Sequence, residues 1–276
     1  MVIESLISPL KAERKPWELF FVGMFYSSLA VLLSMWIFKS HSSLVMVFLT
    51  VIACVPLMYG TIKLEEKKDL EISDETRLLK EHGRALSFFV FLFLGITVSF
   101  TLWYVFLPSD LASTVFSVQT KTISDINTQI TGQGINNYSL FSKIFFNNVK
   151  VLIFCIIFAF IYGSGAIFIL TWNASVIGTA MGNFVRSNLT TASLSGYFQI
   201  TSLSLFRYMI HGVPEILAYF VGGLSAGIVS IAIIRHDFRS DKFRRVLVDS
   251  ADLLLLALGL LVVAGLVEVF ITPLLF

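Results

Sequence analysis

The chain has 276 residues, of which 56% are hydrophobic and only 14% charged, against roughly 25% charged in soluble domains. That composition excludes an ordinary soluble fold and indicates an integral membrane protein. A formal net charge of +2 is too small to suggest a nucleic-acid partner.

Residues 1–16 are short and basic, carrying Lys11, Arg14 and Lys15, and show no small-residue cleavage site of a signal peptide. Pro16 and Trp17 open the first apolar run, Trp17 to Phe38, which is long enough to cross a bilayer as a helix at about 1.5 Å per residue. A polar turn at 39–43 leads to a second run, Leu44 to Ile62, in which Pro56 is expected to bend the helix. Residues 1–62 therefore read as an N-terminal helical hairpin. Cys54 here and Cys155 further on lie inside apolar runs and read as buried free thiols.

Residues 63–84 are dense in charges of both signs. Pairs such as Lys67 with Glu71 and Arg77 with Glu81 are helix spaced, and Ser73 is placed to cap a helix start. The segment reads as a solvated cytoplasmic helix, with a docking face for a cytoplasmic partner as the sharper alternative. A third apolar run occupies 85–107 and stops at Pro108. Residues 108–148 are rich in Ser, Thr, Asn and Gln and read as an exterior polar loop holding a small cap of short helices. Asn137-Tyr138-Ser139 within it is a glycosylation sequon.

The fourth run starts at Val149, and no Lys, Arg, Asp or Glu occurs between Lys150 and Arg186. That is long for one helix. Asn173 and Gly178 suggest a break there, so a re-entrant or broken helix is expected somewhere in 173–212. Gly163, Gly165, Gly178 and Gly182 read as a close-packing seam, with Ser164 as a nucleophile and His211 as its base the weaker alternative. A further run, Ile216 to Ile234, precedes a basic loop and the last run, which begins at Leu253 and contains Glu268. Three segments, 1–16, 63–84 and 235–250, hold 14 of the 20 Lys and Arg residues. Placing all three on the cytoplasmic side gives six to seven crossings, seven preferred, with the N-terminus cytoplasmic and loop 108–148 exterior. The expectation is an all-α polytopic membrane protein in a cell membrane, with the lipid bilayer as its first partner.

The stretch Phe206 to Gly227 concentrates the chemistry. Arg207, His211 and Glu215 are four residues apart on one helical face at the mouth of an apolar run, where ionisable groups are costly to keep. Pro214 removes a backbone donor between the last two, and Gly222, Gly223 and Gly227 allow close helix approach. Three readings stay open for His211 and Glu215: a polar lock between helices, a proton or ion path, and catalysis. HGVPE is not a zinc-binding HExxH pattern, and nothing implies a metal or another cofactor. His41, His82 and His236 are placed in loops or near the membrane surface. Asn147, Asn148 and Asn173 read as helix caps or interhelical bonds, and Glu268 as an interfacial acid.

Phe146-Asn147-Asn148-Val149, Trp172-Asn173 with Gly178, and His211-Gly212-x-x-Glu215 with Ala218, Gly222 and Gly227 together resemble the stage II sporulation protein M family, over about 140–235. The first 110 residues are more loosely similar to archaeal members, and Ala174 stands where the family usually has Gly. The resemblance implies a family core over 149–235 and marks Asn147, Asn148, Asn173, His211 and Glu215 as motif positions. It also implies a non-enzymatic scaffold or assembly factor of the cell envelope, with another envelope protein or a second copy as partner. A channel or transporter component using His211 and Glu215 is the alternative, and an intramembrane hydrolase comes third.

Overall fold

The computed structural model describes the backbone of residues 15–72, 74–131, 137–162, 165–189, 194–235 and 240–275. Side chains are described for the same residues except 75, 126–131, 162, 188–189, 194–209, 211, 235 and 275. The described residues are helical and contain no strand. In chain order the helices are α1 (Glu18–Ile37), α2 (Ser42–Glu71), α3 (Glu75–Phe106), α4 (Ser109–Val115), α5 (Ser117–Thr131), α6 (Asn137–Tyr162), α7 (Ala166–Leu189), α8 (Leu194–Arg235) and α9 (Asp241–Leu266). A π turn at Val267–Ile271 and a short α10 (Thr272–Leu275) close the chain. Seven of the described helical stretches are long and apolar enough to span a bilayer. The protein is therefore a multi-pass helical membrane protein.

α1 packs on α2 and α3, α3 also on α7, and α8 on α6, α7 and α9. The α1–α3 contact is set by small residues on both helices. A Cβ on Gly95 would lie 2.0 Å from the Phe20 carbonyl oxygen, and one on Gly23 2.4 Å from that of Leu92. One turn along each helix, the hydroxyls of Ser28 and Ser99 meet at 3.0 Å. The two backbones thus run parallel and nearly touching, as small residues permit when lipid supplies no drive to bury apolar surface. The centre of the bundle is apolar and aromatic. Phe220 of α8 stacks on Phe89 at 5.6 Å between ring centres and meets Phe93 edge-on at 6.0 Å. Cys54 and Cys155 are buried free thiols, as expected. α6 and α9 lie at the periphery and expose rows of Ile, Leu, Val and Phe.

Several boundaries differ from the sequence expectation. α2 runs through Pro56 and on through the charged residues to Glu71. Asp74, not Ser73, caps α3, its carboxylate accepting from the backbone N–H of Thr76 and Arg77; residue 73 lies outside the described residues. α6 begins at Asn137, twelve residues before the apolar run, because the amphipathic stretch 137–148 continues the helix. The chain turns just before Ala166, not at Asn173, which sits inside α7. Gly165 makes that turn, since a Cβ there would lie 2.2 Å from the Phe158 carbonyl oxygen. The expected break at 173–212 has no counterpart at Asn173, and the junction of α7 with α8 at 190–193 lies outside the described residues. α9 starts at Asp241, capped by Ser240, so most of the expected basic loop is helix.

Candidate functional site

α8 is continuous through Pro214, so Arg207, His211 and Glu215 do share one helix at a spacing of four. The side chains of Arg207 and His211 lie outside the described residues. Glu215 is mostly enclosed and accepts a hydrogen bond from the Tyr219 hydroxyl at 2.6 Å, one turn further along α8. Tyr219 is 1% exposed, so its hydroxyl has little recourse to solvent. The side chain of Asn148 on α6, itself buried, lies beside the same carboxylate. Further along the pair, a Cβ on Gly222 would meet Leu152 of α6 at 2.4 Å. The two contacts advance together along both chains, so α6 and α8 run parallel, with α7 returning between them. On α7, Ala166 approaches Gly223 so closely that a Cβ there would lie 2.7 Å from its methyl. Glu268, in the π turn after α9, is near enough to Glu215 for the two carboxyls to interact electrostatically.

The result is a polar clasp, Asn148–Glu215–Tyr219, joining α6 to α8, with a second acid beside it. In an apolar site such a network rigidifies the contact, and each member becomes expensive to remove. Acids whose charges interact inside a membrane protein mark a candidate proton or ion path. π turns frequently accompany functional sites.

Of the other sequence candidates, Asn147 points to the outside of α6 and takes no part. Asn173 donates its amide to the Ile169 carbonyl of its own helix at 2.9 Å. Gly178 packs α7 on α3, where a Cβ would lie 2.9 Å from the Phe100 Cβ and the Thr97 carbonyl oxygen. Gly227 is buried. Gly163 and Ser164 lie outside the described residues. A tyrosine in an apolar run reads as packing, so Tyr219 does not stand out in the sequence; its spacing of four from Glu215 is the signal that could find it. Glu268 reads as an interfacial acid in the sequence, because the π turn that holds it leaves no mark there.

A second polar centre overturns the reading of 63–84 as a solvated face. Glu65, Glu66, Asp69 and His82 are at most 2% exposed. His82 lies in α3, not in a loop. Its Nδ1 is 2.7 Å from Glu65, and its Nε2 is 3.0 Å from Asp69, though without the alignment of a good hydrogen bond. Lys68 pairs with Glu65 at 2.7 Å and with Glu81 at 3.4 Å. Glu81 is thus held by Lys68 and Arg84, not by Arg77. The Lys67–Glu71 pair does form, at 3.4 Å, on the exposed side. Charge alternation alone cannot show which of its members face another helix. Here α2 and α3 extend side by side beyond their apolar parts, and their facing charges neutralise one another.

The family model for stage II sporulation protein M matches residues 85–273, well over half the chain. The chain belongs to the stage II sporulation protein M family. No curated protein and no solved structure matches it. The stage II sporulation protein M match includes Asn148, Glu215, Tyr219 and Glu268, and so the whole clasp. It begins just after His82, leaving the ion-pair centre of α2 and α3 outside the matched region.

Proposed function

We propose that this protein is a non-enzymatic membrane scaffold or assembly factor of the cell envelope. The observation that carries this reading is the use of Glu215: the carboxylate is engaged by Tyr219 and Asn148 of its own bundle and so serves to fix α6 against α8. The exposed apolar faces of α6 and α9 supply surface for lipid, a second copy or an envelope partner. The test is cross-linking in native membranes, followed by identification of adducts and an assay of the purified protein for hydrolysis of envelope polymers. A defined envelope partner that is lost in Glu215→Ala, with no hydrolysis, supports the scaffold. A lone, active hydrolase overturns it.

Glu268 favours a second reading, a channel or transporter component. Two interacting acids on different helices could carry a proton or cation between them. Flux through proteoliposomes that falls in both Glu215→Gln and Glu268→Gln is the expected result of this reading; flux unchanged in both excludes it.

A further inference from the structure

A cleft of about 520 Å³ opens at the far end of α3, between α4, α5 and the last turns of α7. Tyr104 at this end is 22 residues from His82, which is about 33 Å of helix rise. Along α5, Ser117, Thr120, Lys121 and Ser124 recur at helical spacing and all line the cleft. Ser109 and Ser113 line it from α4 and Arg186 from α7, and Asp125 of α5 is also in its wall. Apart from Ala112, every lining residue carries a hydroxyl or a charge.

The walls are fixed independently of any occupant. Gln119, fully buried on the opposite face of α5, exchanges hydrogen bonds with Ser43 of α2 and donates to the Ser175 hydroxyl of α7 at 3.2 Å. The Tyr104 ring is braced edge-on by Phe116 at 5.3 Å, and Gly182 lets α7 press on it. Arg186 is aimed by two contacts, to the Ser109 hydroxyl at 2.8 Å and to the Tyr104 carbonyl at 3.3 Å. These use two of the five N–H donors of a guanidinium. Neither Arg186 nor Lys121 has an ion pair among the described residues.

We propose that this cleft binds a hydroxyl-rich oxyanion, a sugar phosphate or sugar acid, with Arg186 and Lys121 holding the acid group and the α5 hydroxyls with Asp125 holding the sugar. An arginine with spare donors beside a lysine fits phosphate or carboxylate oxygens. Hydroxyls and one carboxylate around it fit the alternating donors and acceptors of a sugar ring. The inference does not depend on the scaffold reading.

The test is calorimetric titration of the purified full chain in neutral detergent with glucose 6-phosphate, glucuronate, inorganic phosphate, glucose and a short-chain phosphatidylglycerol. Glucose 6-phosphate or glucuronate should bind at least about tenfold more tightly than inorganic phosphate or glucose, a difference of about 1.4 kcal/mol. Arg186→Ala should weaken that binding by about tenfold or more. Lys121→Ala, an exposed substitution that leaves the Arg186 contacts in place, should weaken it several-fold with an unchanged melting temperature. Thr120→Val should reduce the sugar ligands' advantage and leave inorganic phosphate unaffected. The proposal is overturned by no binding at millimolar ligand, by wild-type affinity in Lys121→Ala, by inorganic phosphate binding as tightly as the sugar acids, or by preference for the phospholipid.

Discussion

Glu215 and His82 represent two ways of keeping charge inside a helical bundle. Glu215 is met by neutral groups, Tyr219 and Asn148. Removing one donor from such a network within a membrane protein costs about 0.6 kcal/mol on average and up to about 1.7. Tyr219→Phe should therefore lower thermal stability in detergent slightly, and Glu215→Ala more, because it strands both groups at about 1–3 kcal/mol. Unchanged melting of Glu215→Ala would mean that the clasp does not bind α6 to α8. His82 is different, since it lies between two fully buried carboxylates. His82→Ala should cost about 3–5 kcal/mol, as expected when one partner of a buried ion pair is removed. Adding Glu65→Gln and Asp69→Asn to it should recover part of the loss, because the unpaired negative charges then disappear. A triple variant less stable than His82→Ala would show that the carboxylates have other essential partners.

Element by element, the long apolar runs were legible because seven stretches of suitable length leave few alternatives in a bilayer. Their ends were not. Residues 137–148 and 241–250 are polar enough to read as loops, yet they extend α6 and α9 because each continues an amphipathic face beyond the membrane-length run. The site was half legible: Glu215 and Asn148 stood out as costly polar groups, whereas Tyr219 and Glu268 required knowing which turns face each other. The closest helix contact went unread as well. Gly23 with Ser27 and Gly95 with Ser99 are small residues four apart on α1 and α3. Gly95→Ala forces the new Cβ against backbone at 2.0 Å, which no side-chain rotation can relieve. It should cost about 1–3 kcal/mol, the usual range for overpacking. Gly259 has nothing within 4 Å of its missing Cβ. Gly259→Ala should therefore be neutral, or stabilising by up to about 1 kcal/mol through helix propensity. Equal melting temperatures for the two variants would remove the close α1–α3 crossing as a source of stability.

For the whole molecule, the distribution of basic residues argues for one orientation. The segments 1–16, 63–84 and 235–250 hold 14 of the 20 Lys and Arg residues; the other six are Lys39, Lys121, Lys143, Lys150, Arg186 and Arg207. Lys67 lies near the end of α2, and Asp110 just beyond the far end of α3, so one spanning helix separates them. If basic segments stay on the cytoplasmic side, Lys67 faces the cytoplasm and Asp110 the exterior. Both are exposed, and the native thiols of Cys54 and Cys155 are fully buried, so single added cysteines report with little background. In intact cells a membrane-impermeant maleimide should label Asp110→Cys, and should label Lys67→Cys only after permeabilisation. The opposite pattern would invert the protein and carry the Arg186 cleft to the cytoplasmic face. Labelling of both positions from outside would mean that α3 does not cross the membrane, and the seven-span topology would fail with it.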